Sequence, residues 1–308
     1  DLIGLELALE LEKLQSDAPK DPFETTKRII ENEQGIPLED IFVEFEKEPI
    51  ASASIGQVHR AKLDPQRFAF ASSEQKNEPI SNEPLDVVVK VRHEGIDRIV
   101  ETDLDILSGL AQLAEKLDDF KNYQPIAVVE EMSRTMKREL DFGREERNLI
   151  QFRSLFEKDK TVVIPEPISA LCSARMITMQ HISGTSIRKI KDNCPAGIDP
   201  NSVAQTGANL YLKMIFHHGF FHADPHPGNI IIQGDGTIGL LDFGMVGRIS
   251  EQLREDIEAM LVAIVNQDVS MLSTLIKRIG RCPNNLNESA FSNEVADFVG
   301  QYSTQILA

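Results

Sequence analysis

The sequence predicts an α+β fold of two lobes, the first rich in strands and the second mainly helical, with a helical extension in front. Three observations predict it. Val87-Val88-Val89-Lys90-Val91 is a β-branched run of the kind that forms strands, and small residues followed by a β-type alternation occupy 49–61. Residues 96–117 and 203–218 carry apolar residues at helical spacing. Finally, Ile230-Ile231-Ile232 and Thr237-Ile238-Gly239-Leu240-Leu241 flank Gly234-Asp235-Gly236, so a tight hairpin interrupts the helical half. The expected organisation is an extension over 1–48, a strand-rich lobe over 49–182 with inserts at 63–85 and 96–125, and a helical lobe over 183–308.

Each element has its own signal. Leu2, Leu5 and Leu9 among acidic residues predict an amphipathic helix over 1–14, which residues 17–22 stop. A second helix is expected near 22–32 with Phe23, Ile29 and Ile30 inward, and a short third one near 37–43; Gly35 and Pro37 punctuate them. Residues 63–85, rich in Ser, Asn, Glu and Pro, predict an exposed loop. The run 87–91 predicts a buried strand carrying one lysine. Pro125 breaks the connection after the 96–117 helix, and a further single helix is expected over 127–156. Strands are expected over 161–168 and 174–182, a helix over 203–218 closed by Gly219, and a helix over 250–265 almost directly after Gly244.

Composition narrows the function. The chain has 308 residues, enough for one large two-lobed domain, and its net charge of -17 argues against nucleic acid and against a broad basic face for anionic lipid. Cys172, Cys194 and Cys282 are odd in number and form no Cys-x-x-Cys pair, so they predict neither disulfides nor zinc, but small buried hydrophobes in a reducing compartment. No apolar run approaches the roughly 18 residues of a membrane span. The expected location is cytoplasmic or peripheral at a membrane, with any targeting or spanning segment outside these residues. No oligomeric state is specified.

The chemistry concentrates in residues 221–244, where His222, Asp224 and Asn229 precede Asp242-Phe243-Gly244. An acid, an amide five residues on and a second acid in Asp-Phe-Gly after a hairpin match the protein-kinase signature set. Phosphoryl transfer needs oxygen ligands for magnesium and a carboxylate for the attacking hydroxyl. Asn229 and Asp242 are therefore the expected metal ligands and Asp224 the base, with His222, Phe243 and Gly244 in supporting roles. The fold class becomes a two-lobed protein-kinase-like α+β fold.

Other site residues follow from that frame. Ala51, Ser52, Ala53, Ser54, Ile55, Gly56 and Val58 stand where a glycine-rich loop would cover nucleotide phosphates, with only Gly56 remaining. Lys90, costly in a buried strand unless an anion meets it, is the expected phosphate lysine. Met179, Gln180 and Ile182 fall at the end of the last strand, where the backbone of Gln180 and Ile182 would meet an adenine edge. The acids of 139–147 include the expected partner of Lys90, unless they form a solvated charged face. An Ala-Pro-Glu element and room for a long activation segment are both missing, which removes the platform for peptide substrates.

Together, the segments ASASIGQVH (51–59), Val87–Val91, Glu139-Leu140-Asp141 with Glu145, HADPHPGN (222–229) and Leu241–Gly244 resemble the UbiB/ADCK family of atypical kinases. The resemblance implies that the alanine-rich loop replaces the glycine-rich one, that Lys90 pairs with Glu145, and that Glu139 and Asp141 form a family-specific acidic motif. It also implies binding of ATP or ADP with Mg2+, ATPase activity, and a link to isoprenoid quinone biosynthesis, membrane lipid and quinone-pathway proteins. The family's Lys-x-Gly-Gln motif is absent, and the chain is expected to be part of a longer one. Two other functions fit fewer features: an aminoglycoside-phosphotransferase-like small-molecule kinase, whose catalytic loop also reads His-x-Asp-x-His-Pro-Gly-Asn, and a nucleotide-gated lipid-binding scaffold.

Overall fold

The computed structural model describes residues 20–68, 83–117, 120, 123–190, 197–280, 282 and 286–306. The helix expected over 1–14, much of the polar insert and Cys194 lie outside the described residues. The chain divides into two compact units, Asp1–Thr206 with Asp224–Met245, and Gly207–Ala223 with Val246–Ala308.

The first unit is built on a five-stranded antiparallel sheet. Its central path runs Phe42–Phe45, Gly56–Leu63, Leu85–Arg92, Met176–Gln180, with Ala51–Ser52 paired to Gly56–Leu63. Helix Phe23–Gln34 covers one face and ends where Gly35 turns left-handed at φ 72. Val87, Val89 and Val91 are at most 1% exposed and pack with Ile30, Ile41, Leu63 and Leu171. Side chains alternate faces along a strand, so Val88, Lys90 and Arg92 point the other way. One face of the strand is thus fully buried in the apolar core and the other is half-buried, so the lysine escapes the hydrocarbon by parity.

Three helices follow: Ile96–Ala114, Pro125–Glu139 and Phe142–Phe156. Pro125 opens the second of them at its first turn, where a proline loses no hydrogen bond. The single helix expected over 127–156 is two, because Asp141 leaves helical geometry and its side chain accepts from the Gly143 N–H at 3.0 Å as an N-cap. A second sheet in the same unit orders Val162–Val163, Ile238–Leu240, Ile230–Ile232 and Thr185–Ser186. Its hairpin pairs Ile230 with Leu240 and Ile232 with Ile238. Only two residues of the strand expected over 161–168 pair with it.

In the second unit, helix Pro200–Leu212, which begins in the first unit, passes into a π-helical turn, Lys213–His218, closed by Gly219 at φ 59. Phe220–His222 pairs with Val246–Arg248, a short strand between Gly244 and the expected helix, which runs over Glu251–Val265. Ala263, Leu272, Val295 and Val299 hold the last helices together. Among the described residues, no helix is long and apolar enough to cross a membrane. Cys172 is half-buried and Cys282 exposed, so a small-hydrophobe role does not describe Cys282; it sits on a connection between helices.

Gly56 shows why one glycine survives in the small-residue segment. A Cβ there would stand 2.5 Å from the Val91 carbonyl oxygen, a backbone atom that cannot swing aside. Gly56→Ala should therefore lower stability by about 1–3 kcal/mol in urea unfolding, through forced separation of two paired strands.

Candidate active site

The strand parity that turns Lys90 out of the core delivers it to two carboxylates. Its ammonium donates to Glu145 Oε2 at 2.9 Å and to Asp242 Oδ2 at 3.1 Å. The Phe142 ring lies 5.0 Å from the nitrogen and closes one side. The side chains of Lys90 and Glu145 are 14% and 3% exposed, whereas that of Asp242 is 44% exposed, so the trio grades from interior to open surface.

Burial by itself would lower the Lys90 pKa, but the carboxylates of Asp242 and then Glu145 outweigh it and hold the ammonium above the ordinary lysine range. Burial pushes the Glu145 carboxyl from an ordinary 4.5 up to about 7; the Lys90 ammonium opposes that rise, and the Asp242 carboxylate adds to it. The ammonium thus favours the ionised form of a carboxylate that burial would otherwise neutralise.

Helix Phe142–Phe156 positions Glu145 and anchors the Asp-Phe-Gly turn. Glu145 Oε1 accepts from the Phe243 N–H at 3.3 Å, and Asn148, one turn later, donates to the Phe243 carbonyl at 2.9 Å. The fully buried Phe243 ring lies 5.0 Å from that of Phe152 on the same helix face. Asp242 adopts φ 55, left-handed, a conformation that Asp tolerates better than most residues. Its Oδ1 accepts from the Gly244 N–H at 3.1 Å, which fixes the turn.

The hairpin returns Asp242 to the catalytic loop. Leu241 N–H donates to the Asn229 carbonyl at 2.8 Å, so Asn229 and Asp242 stand at the same end of the ribbon. Asn229 Nδ2 donates to Asp224 Oδ2 at 2.7 Å. That bond turns the amide so that its nitrogen serves Asp224 while its oxygen is the kind of donor magnesium takes. No group of three or more His, Cys, Asp or Glu among the described residues could hold a metal alone. An amide, one carboxylate and substrate phosphates are what a magnesium–nucleotide site uses, so the residues fit that group.

The remaining residues divide. Ala51 and Ser52 pair with Val58 and Gln57, Ala53 N–H donates to the Gly56 carbonyl at 2.9 Å, and Val58 lies opposite Lys90 in register. The loop of 53–55 thus arches beside the lysine strand. His93 holds it there: its Nε2 is 3.0 Å from the Ala53 carbonyl, and its Nδ1 is 3.1 Å from Asp21 Oδ2. Sequence reasoning missed His93 and Asp21, since nothing in their spacing marks two residues 72 positions apart. At the other edge, Gln180 N–H donates to Glu166 and His181 N–H to Asp86, so the donor of Gln180 serves the protein rather than an adenine edge. Met179 is buried opposite Val88, and buried Ile182 packs near Gly239.

Glu139 ends its helix with a carboxyl that burial pushes up, the Asp242 carboxylate adding to this, Lys90 opposing and Asp224 adding again. It therefore stands in the field of the candidate metal and base residues. Asp141 caps the helix of Glu145 and lies 3.4 Å from Arg147. His222 is 1% exposed and belongs to the second unit, opposite Val246.

Removing the ammonium tests this arrangement. Lys90→Met should cost about 3 kcal/mol at mildly alkaline pH, where Glu145 is left buried and charged. In the variant the folded carboxyl, without its opposing cation, titrates above about 7, against 4.5 when ordinary. A raised folded pKa means stability is lost as pH rises through it, so the penalty should shrink toward pH 4.5 and grow above 7 in urea unfolding at several pH values.

Residues 13–276 match the ABC1 atypical kinase-like domain. Activity of BC1 Complex Kinase 1, chloroplastic, of Arabidopsis thaliana is 35% identical over 91% of this chain and 39% of its own length. Activity of BC1 Complex Kinase 8, chloroplastic, of the same plant is 31% identical over 91% of this chain and 35% of its own. An uncharacterized protein of the hydrogenase 1 5′ region of Clostridium pasteurianum is 30% identical over 98% of this chain and 53% of its own. The chain therefore spans about half or less of the length of these relatives. A solved structure, the complex of Rv3197 with erythromycin from Mycobacterium tuberculosis, superposes with a TM-score of 0.68 at 21% identity, covering 100% of this chain and 72% of that one. The fold is protein-kinase-like, and the chain belongs to the ABC1 atypical kinase-like family, the UbiB/ADCK family that its motifs resemble.

Proposed function

We propose that this chain binds ATP or ADP with Mg2+ and acts as an atypical kinase or ATPase on a lipid or small molecule, in support of isoprenoid quinone biosynthesis. The observation that carries the reading is the meeting of Lys90, Glu145 and Asp242 beside the Asn229–Asp224 pair. When bound, magnesium and the nucleotide supply the transferable phosphoryl group and the positive charge that offsets its developing negative charge. Asn229 Oδ1 and the Asp242 carboxylate would hold the cation. Lys90, kept in place by Glu145, turns from Asp242 to the phosphates. Asp224, oriented by the Asn229 amide, positions the attacking hydroxyl or water and takes its proton at the carboxylate. The segment 51–54, strand end and loop together, covers the phosphates with alanine and serine, whose Cβ atoms limit how closely backbone N–H groups approach.

A lipid or small-molecule acceptor is favoured over a peptide because only residues 245–250 separate Asp-Phe-Gly from the next helix. The quinone link rests on the family resemblance, which also supports partners among membrane lipids and quinone-pathway proteins. One observation favours a second reading, a kinase of antibiotics or metabolites: the fold neighbour from Mycobacterium tuberculosis was solved with erythromycin. A nucleotide-gated lipid-binding scaffold is the third.

Asp224→Asn separates these readings. It should lower phosphate release by roughly a hundredfold or more while the thermal shift with ATP and magnesium stays near that of the unaltered chain. Unchanged turnover would remove Asp224 as the base, and an absent shift would remove nucleotide binding. A strain lacking the gene should fail on a carbon source that requires quinone, and be rescued by the gene; normal growth would favour the antibiotic kinase.

A further inference from the structure

At the start of helix Ile96–Ala114, in the first unit, a pocket of about 310 Å3 is lined by Arg28, Arg92, Arg98 and Arg175. Four guanidinium groups in one pocket are unexpected on a chain of net charge -17. The pocket's own acids do not balance them. Arg28 meets Glu94 at 2.6 Å, while Arg92 and Arg175 share a single oxygen, Asp97 Oδ2, at 2.8 and 3.6 Å. Arg98 is exposed and has no ion-pair partner among the described residues. Asp21, which meets His93 and the Glu94 N–H at 3.1 and 3.2 Å, adds a third carboxylate beside the pocket, and four guanidinium groups still leave a surplus of positive charge.

The geometry suits an oxyanion. Arg92 is 11% exposed at its side chain and fixed by the Leu140 carbonyl at 2.7 Å as well as by Asp97, so one fork is already ordered. Arg98 and Arg175 flank it from the exposed side of the pocket mouth, where rotation toward a ligand costs only a weak or absent pairing. Gly95 opens the helix with no side chain capping it, and its first N–H groups add positive potential at the same spot. Arginine forks match phosphate in pairs, which carboxylate-poor arginine clusters exploit.

We propose that this pocket binds a phosphate group, separately from the candidate nucleotide site, with Arg92 as the fixed contact and Arg98 and Arg175 as the closing ones. The group comes either as free phosphate or on a lipid headgroup. The reading does not depend on phosphoryl transfer, and the test contains no nucleotide. Inorganic phosphate and pyrophosphate are titrated by calorimetry, and flotation is measured with phosphatidylcholine vesicles with and without phosphatidic acid.

Binding of the soluble anions identifies free phosphate as sufficient; binding of phosphatidic acid vesicles alone identifies the headgroup. In either case Arg98→Glu combined with Arg175→Glu should weaken binding at least roughly tenfold, and the bound probe should shield Arg98 from phenylglyoxal as read by mass spectrometry. Should the double variant fail to fold, Arg98→Gln, at an exposed position, should still show a several-fold loss. Absence of binding by both probes, an unchanged affinity in the variants, or unshielded Arg98 overturns the proposal.

Discussion

One buried ammonium group organises the first unit. Lys90 can sit deep in the fold only because strand parity turns it away from Val89 and Val91 and because two carboxylates meet it. Everything near it serves that neutralisation. The helix from Phe142 exists to present Glu145, the Asp-Phe-Gly turn to present Asp242, and buried Phe243 ties the two together through Glu145, Asn148 and Phe152. A charge of this kind contributes little net stability, since desolvation consumes most of the attraction. What it does in the fold is join the helix from Phe142 to the Asp-Phe-Gly turn through Glu145 and Asp242.

The carboxylates are not equivalent, and their differences assign their parts. Glu145, almost wholly enclosed and raised toward neutrality, behaves as a fixed component of the interior. Asp242, open on one side and bent into a left-handed turn, is the one of the two that solvent reaches. Between the lysine strand and Glu145 the chain inserts a hairpin of helices, so the ion pair spans 55 residues. Loop closure grows only logarithmically with length, which makes such an insertion cheap once both ends are anchored. Glu139 closes that hairpin within the field of Asp242 and Asp224, whose carboxylates join burial in pushing its own carboxyl up.

Much of this was legible in the residues. The interval from Asp224 to Asp242, with a glycine turn between two apolar runs, implied the hairpin that aligns Asn229 with Leu241. The costly lysine at 90 implied an acid, though spacing alone left several acids of 139–147 open. What resisted reading was long-range or local-conformational. His93 fastening Ala53 to Asp21 joins three distant segments through side chains that would be ordinary on any surface. The break at Asp141 was hidden because the apolar periodicity continues through it while one capping bond redirects the axis. The donor of Gln180 was lost to Glu166, a pairing that depends on where a neighbouring extended segment happens to run.

The two-residue alternation of Leu85–Arg92 has an evolutionary corollary. Adding or deleting one residue between the edge of that strand and Lys90 would rotate the cation into hydrocarbon and expose valines in its place. Length variation should therefore be barred from these few positions and tolerated immediately before them. In the polar stretch that joins Gly56–Leu63 to this strand, by contrast, a change of length leaves the parity of Lys90 untouched.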